Sequence, residues 1–160
     1  MSTTLDSVDQ RILAILDEDP RMPVLAISER TGLARGTIHT RLAKYREENL
    51  LRDYSTCVPP EHLGRPLLAK VSLQLSQHYL DKAIEELSNI PEVVECLASS
   101  GETDLEVRVA AVDTDDLYRV CDQIRLVPGV ERTSTTVFLR ALIPYRIRGL
   151  VDTLEPKRKN

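Results

Sequence analysis

An α+β fold in two units is predicted by three features of this chain. Apolar residues first recur at helical spacing, from Val8 to Tyr45. From Leu67 the pattern becomes strict alternation, and the two periods then interchange as strand, helix, strand, strand, helix, strand. Between the two regimes lies Pro59-Pro60-Glu-His-Leu-Gly64, a run of turn residues. The expected boundaries are 1–58 for a helical unit, 59–66 for a linker, 67–145 for a mixed unit and 146–160 for a carboxyl-terminal extension.

Asp6-Ser-Val-Asp9 reads as a helix start, with Asp6 as N-cap and the Asp9 carboxylate near the positive end of the dipole. Val8, Ile12, Ile15 and Leu16 give its buried stripe, and Asp17-Glu-Asp-Pro20 ends it. Pro23 suits the first turn of a second helix carrying Val24, Ile27 and Thr31 inward. Gly32 supplies a corner at positive φ, after which Ile38, Leu42 and Tyr45 face inward on a third helix. Leu50 to Val58 is expected to add an extended segment or small wing.

Leu67, Ala69, Val71, Leu73 and Leu75 alternate with more polar neighbours, a strand with one buried face. Leu80, Ala83, Ile84 and Leu87 return to helical spacing. Val93 to Ser99 and Leu105 to Val112 read as strands joined by Ser100-Gly-Glu-Thr-Asp104, and Leu117, Val120, Cys121 and Ile124 mark a second helix. After the Pro128-Gly129 turn, Val130 to Leu142 is rich in Thr and Val, as strands are. The order βαββαβ is the ferredoxin-like split arrangement, an antiparallel sheet with helices on one face. The other face must meet something, most simply a second copy.

Two short helices meeting at Thr31-Gly32-Leu33 form a helix-turn-helix, and its second helix carries polar and basic side chains outward. From Arg30 to Arg46 there are five Arg or Lys and no Asp or Glu, in a chain of net charge −4. A basic island in an acidic protein marks a phosphate-facing surface, and the geometry is that of a major-groove reader. Arg35, Gly36, Thr37, His39 and Thr40 fall outward, where Arg35 can offer a planar fork to guanine or phosphate. Arg41, Lys44 and Arg46 lie farther along and suit phosphate anchoring or internal salt bridges. Taken alone, such a face could equally be a solvated helix surface.

Other classes find little support. No apolar run reaches the ~20 residues that span a bilayer, and the amino terminus lacks a secretion signal, so the cytoplasm is expected, in association with the nucleoid. Cys57, Cys96 and Cys121 are far apart, Cys96 and Cys121 are expected as buried structural thiols, and neither a metal site nor a cofactor is expected. The basic end Glu155-Pro-Lys-Arg-Lys-Asn160 is read as a frayed terminus.

Four motifs, in order, carry a resemblance: Leu5-Asp-x-x-Asp9-x-x-Ile12-Leu13, Gly32-Leu33 with Arg41-Leu42, Ser100-Gly101-x-x-Asp104, and Val127-Pro-Gly-Val130. Together they make the chain resemble the Lrp/AsnC, or feast/famine, regulators over essentially its whole length. The resemblance implies a bacterial or archaeal transcription factor, dimeric through its sheets and assembling to tetramers or octamers, that binds double-stranded DNA. It also implies an amino-acid effector held between subunits. On this sequence the implied effector residues are Ser100, Gly101, Thr103 and Asp104, with Thr133 and Thr135 on the last strand. Chemically, Gly101 permits close backbone approach to a carboxylate and Asp104 suits an α-ammonium. The same residues equally suit a plain hairpin in which Asp104 caps backbone amides. Two positions depart from the pattern: Leu105 stands where relatives often carry an aromatic residue, and Ala34 where many have a capping Ser.

The rival reading is an enzyme on the same architecture, resembling the siroheme decarboxylases. It would want His and Arg grouped on the second unit to hold a tetrapyrrole's carboxylates. That region offers His78 and Arg108, Arg132, Arg140, Arg146 and Arg148 without a visible grouping, and no nucleophile–base arrangement, so no enzymatic activity is expected. A ligand-sensing module lacking DNA function would not need the helix-turn-helix.

Overall fold

The computed structural model describes residues 5–155, in two compact units. Of the frayed terminus expected at 155–160, Glu155 is described and its carbonyl accepts the Ser7 N–H at 3.2 Å, while residues 156–160 and the first four residues lie outside the described part. One unit takes in the residues up to Tyr54 together with those from Ile143 onward; the other is Ser55–Leu142. The division comes ahead of the expected boundary at 58, and the linker residues group with the second unit. Residues 143–145, expected with the sheet, group instead with the helices: Tyr145 accepts from Arg52, and farther along Asp152 and Glu155 accept hydrogen bonds from the first helix.

In the first unit, α1 (Ser7–Glu18) opens with a reciprocal capping box: Asp6 accepts from the Val8 and Asp9 amides, and Asp9 accepts the Asp6 N–H at 2.8 Å. Helix α2 (Val24–Thr31) begins one residue after Pro23, which stands at the N-cap position, and ends at Gly32 with φ 68°. Thr31 and Ser28 close the corner, their hydroxyls donating to the Ile27 and Leu33 carbonyls. Helix α3 (Arg35–Glu47) starts from Ala34, which makes no side-chain cap bond. Ile12, Ile15, Ile27, Ile38 and Tyr45 form the core of the three helices, with Leu42 partly buried against it.

The expected wing is not built. After α3 the chain makes two 3-10 turns, Tyr54–Cys57 and Pro60–Leu63. A wing needs two paired strands; among the described residues no strand lies between α3 and Leu67, and Pro59-Pro60 supplies no amide donors.

The second unit is β1 (Leu67–Leu75), α4 (Leu80–Ser88), β2 (Val93–Ala98), β3 (Leu105–Ala111), α5 (Thr114–Arg125) and β4 (Val130–Val137). All strand pairs are antiparallel and the sheet order is β2-β3-β1-β4, the expected ferredoxin-like topology. Ala69, Val71, Leu73 and Leu75 of β1 and Leu105, Val107, Val109 and Ala111 of β3 pack with Ala83, Leu87, Leu117, Val120 and Ile124. Ile84, expected inward, is exposed, because α4 buries only Ala83 and Leu87. Strand β4 stops at Val137 rather than running to Leu142: its last ladder bond, Phe138 N–H to Leu68 O, reaches the start of β1, and no partner strand extends farther among the described residues. Cys96 is exposed and Cys121 only half-buried, since Cys96 sits on edge strand β2 beyond the buried cluster.

The face opposite the helices is mostly polar, with Leu68, Leu97 and Ala110 among its charged and hydroxyl residues. Lys70 pairs with Glu106 at 3.1 Å, Ser72 donates to Glu106 at 2.8 Å, and Arg108 pairs with Glu95 at 3.1 Å. On β4, Arg132, Ser134 and Thr136 lie across from Gln74, Ser72 and Lys70.

Candidate nucleic-acid interface and ligand cleft

At about 100° per residue, the buried Ile38 and Tyr45 fix which way α3 turns. Gly36, Thr40 and Ala43 then occupy the middle of its outward face. Arg35, His39 and Arg46 flank that middle on one side, Thr37 and Lys44 on the other. Small residues at the centre allow close approach to a groove, and cations at the margins suit the phosphates beside it. Arg35, Gly36, Thr37, His39, Thr40 and Arg46 are exposed and Lys44 is half-buried. The exposed Thr40 hydroxyl donates to the Gly36 carbonyl at 2.9 Å. Among the described residues no ion pair holds Arg35, Lys44 or Arg46, whereas Arg30 is tied to Glu18.

Arg41 belongs elsewhere. Its guanidinium reaches Asp9 at 2.7 Å and Asp6 at 2.9 Å, taking the internal of the two roles the sequence allowed. Asp9, 1% exposed, accepts three hydrogen bonds: the Asp6 N–H, Arg41 and the Tyr45 hydroxyl at 2.7 Å. Burial opposes ionisation of Asp6, yet the Arg41 hydrogen bond and the Asp9 and Val8 amides outweigh it and hold its carboxyl below the usual value. Tyr45 is pushed well up by burial and by the neighbouring Asp9. Thus the first turn of α1 clamps the recognition helix. Sequence reading gave Asp9 only a dipole role; the missed signal was Tyr45 on an inward stripe, whose hydroxyl needs a buried partner.

A second polar cluster also escaped the sequence reading. Glu92, 5% exposed, pairs with Arg119 at 2.7 Å and Arg65 at 3.3 Å, and both arginines also reach Asp116. Burial works against its charge, but the Arg119 hydrogen bond, its own amide and the two guanidiniums keep its carboxyl low. These four residues bind the start of β1 to α5 and carry no ligand chemistry of their own.

The six implied effector residues divide into two groups within one chain. In the β2–β3 hairpin, the Asp104 N–H donates to Leu73 O, while its carboxylate accepts the Leu75 N–H at 2.9 Å and the Gln77 side-chain amide at 3.0 Å. One oxygen therefore holds the end of β1 and the other the turn that follows it. Thr103 donates to Glu106 at 3.0 Å, and Ser100 and Gly101 are exposed at the tip. Thr133 and Thr135 stand elsewhere. Their cross-strand partners are Leu73 and Val71, so they face the helix side. They line a groove of about 320 Å³ with Leu117, Tyr118, Asp122 and Arg125 of α5. Asp122 and Arg125 form an ion pair at its rim, and the Cys121 sulfur lies 3.4 Å from the Thr135 hydroxyl.

The arginines that a tetrapyrrole would need are dispersed: Arg108 is paired with Glu95, and Arg148 with Asp17 and Asp152 in the other unit. Among the described residues no group of His, Cys, Asp and Glu is arranged to hold a metal ion, and no helix is long and apolar enough to cross a membrane.

Residues 5–46 match the AsnC-type helix-turn-helix domain, and residues 68–147 match the Lrp/AsnC ligand binding domain. The chain is 33% identical over 140 residues to HTH-type transcriptional regulator FL11 of Pyrococcus horikoshii, covering 88% of this chain and 93% of that protein. It is 34% identical over 143 residues to the proline dehydrogenase transcriptional activator of Rhizobium radiobacter, covering 86% and 91%. Its fold matches Escherichia coli AsnC with a TM-score of 0.80 at 23% identity, over 91% of this chain and 99% of that one. A feast or famine regulatory protein from Mycobacterium tuberculosis, complexed with L-methionine, matches with a TM-score of 0.77 at 26% identity, over 89% and 97%.

Proposed function

The chain belongs to the Lrp/AsnC family of transcriptional regulators, and from that premise we propose how its own residues divide the work. Helix α3 enters the major groove. Arg35, Thr37, His39 and Thr40 meet base edges or nearby phosphates, Lys44 and Arg46 neutralise phosphates, and Gly36 and Ala43 permit the approach. Dimers present two such helices to half-sites one helical turn apart, or a multiple of it. The polar sheet face joins the two copies, and dimers assemble further in the cytoplasm, where the regulator meets the nucleoid. The chain catalyses no reaction.

The effector is an amino acid, and the groove between α5 and β4 is its seat. Arg125 offers a cation to an α-carboxylate, Asp122 an anion to an α-ammonium, and Thr133 and Thr135 supply hydroxyls. A hairpin carrying Ser100, Gly101, Thr103 and Asp104 from a second subunit closes the site. The methionine-bound mycobacterial relative supports this ligand class. A ligand changes DNA binding only by favouring one assembly over another.

The observation that carries this reading is the outward face of α3. Among the described residues, Arg35, Lys44 and Arg46 stand there without an ion-pair partner, while Arg41 is withdrawn. Its test is a fluorescence titration of duplex fragments from the protein's own operon at several salt concentrations, repeated with each of the twenty amino acids. Replacing Arg35 and Lys44 together by Ala should weaken binding and lower the salt slope by about 2 per bound subunit, one per lost phosphate contact. An unchanged slope removes both residues from a phosphate role, and indifference to every amino acid removes the effector assignment.

A further inference from the structure

Residues 143–155 do not end the chain idly; they run back along α1. Arg148 Nη1 pairs with Asp17 at 2.9 Å, near the last turn of α1, and its Nε holds Asp152 at 2.9 Å across one turn of α6 (Arg148–Val151). The Asp152 carbonyl accepts the Gln10 side-chain amide at 3.0 Å, and the Glu155 carbonyl accepts the Ser7 N–H at 3.2 Å. Ser7 is the first residue of α1, so its N–H is one of the donors that the helix leaves unpaired. Farther back, Tyr145 meets Arg52 twice: the guanidinium donates to its hydroxyl at 3.3 Å and lies 5.0 Å from the ring centre. The segment therefore touches α1 at both ends and the chain just beyond α3.

The first turn of α1 is also what seats the recognition helix, through Asp6 and Asp9 on Arg41 and Tyr45. Ser7 and Gln10 alternate with those two carboxylates in the same turn. We infer that residues 143–155 are a strap that sets the seating of α3 through α1. Residues 138–142 join the strap directly to β4, the strand bearing Thr133 and Thr135. It thereby gives the ligand-binding unit a covalent route to the DNA contact. The inference rests on the reading that α3 contacts DNA.

The strap is tested in the full chain by Arg148→Glu, which sets a carboxylate against Asp17 and Asp152. A companion variant, Asp17→Lys with Arg148→Glu and Asp152→Lys, restores attraction with the charges reversed. Two readouts apply: amide hydrogen exchange along α3, and duplex affinity at several salt concentrations. Arg148→Glu should speed exchange over residues 38–45 and weaken duplex binding, each by about fivefold, the low end of ordinary coupling between sites. The salt slope should stay unchanged, and the triple variant should return both readouts toward the parent.

Exchange in α3 and affinity both within about twofold of the parent would overturn the strap, since no coupling of ordinary size would remain. So would equal acceleration across α2 and α3, which is general loosening, or a salt slope lowered by about 1, which would mean that Arg148 itself touches phosphate. If the parent binds no duplex, the DNA reading fails, while the exchange experiment still decides whether the strap seats α3.

Discussion

Asp9 shows how a single side chain divides the basic residues of α3 between two tasks. A carboxylate with 1% exposure must be paired, and it takes Arg41 and Tyr45 from the recognition helix. Arg41→Ala should therefore destabilise the first unit by about 3 kcal/mol, the cost of leaving a buried charge without its partner, as urea unfolding would register. Tyr45→Phe should cost nearer 1 kcal/mol, one hydrogen bond. Neither should change the salt slope of DNA binding, the effect predicted for the proposed phosphate contacts. Two other carboxylates paired with arginine, Asp6 and Glu92, make stability depend on pH. Asp6 and Glu92 have carboxyls held below their ordinary values of 3.8 and 4.5. The unfolded chain takes up protons first as pH falls, so their contribution is complete above those ordinary values. It fades as pH falls through the lower folded values. A urea midpoint followed from pH 6 down to about pH 3 should fall, and Glu92→Gln should flatten the fall.

Among the elements, two glycines mark corners of different severity. Gly32 has φ 68°, but a Cβ there would meet only Arg11 Nη2, at 3.8 Å. Gly129 has φ 85°, and a Cβ there would lie 2.3 Å from Tyr79 Cβ. Gly32→Ala should cost about 1 kcal/mol, the strain of a left-handed backbone, whereas Gly129→Ala adds a clash and should cost about 3 kcal/mol or more. Thermal melts that ranked them the other way would contradict the packing of Tyr79 on the α5–β4 turn. Most element boundaries were legible because their causes are local. Asp6 caps the helix that starts beside it, Gly32 turns where only φ matters, and Leu67 to Leu75 alternate wherever one face is buried. The extent of β4 was not legible, because it depends on where β1 begins, and the wing failed for want of a partner strand. Cys96 looked apolar in sequence and lies exposed, since an edge position is a property of the sheet.

For the molecule as a whole, the polar open face of the sheet bears on assembly. Lys70 pairs with Glu106 and Arg108 with Glu95 within the chain, so a second copy could cover those charges without stranding them, whereas Arg132, exposed on the same face, needs a partner carboxylate or a place at the solvated rim. Ser72 sits among them, 8% exposed. If the proposed dimer forms through this face, Ser72→Arg should break it, which sedimentation velocity would show as a shift to monomer; an unchanged sedimentation coefficient would assign assembly to another surface. The candidate effector site was legible only in its residue types. The hairpin motif was visible, but Asp104 spends its oxygens on Leu75 of β1 and on Gln77 just beyond it, and Thr133 and Thr135 face α5 rather than the hairpin's Thr103.

The sequence by itself determined the two units, the βαββαβ order, the helix-turn-helix and the basic island, because each arises from periodicity, capping and turn chemistry within a few residues. Tertiary structure alone decided that Arg41 serves Asp9, 32 positions away, and that Gln10 holds the Asp152 carbonyl, 142 positions away. Such pairings depend on which charged and polar groups the packed helices bring within hydrogen-bond reach. Local pattern carries no record of that distance.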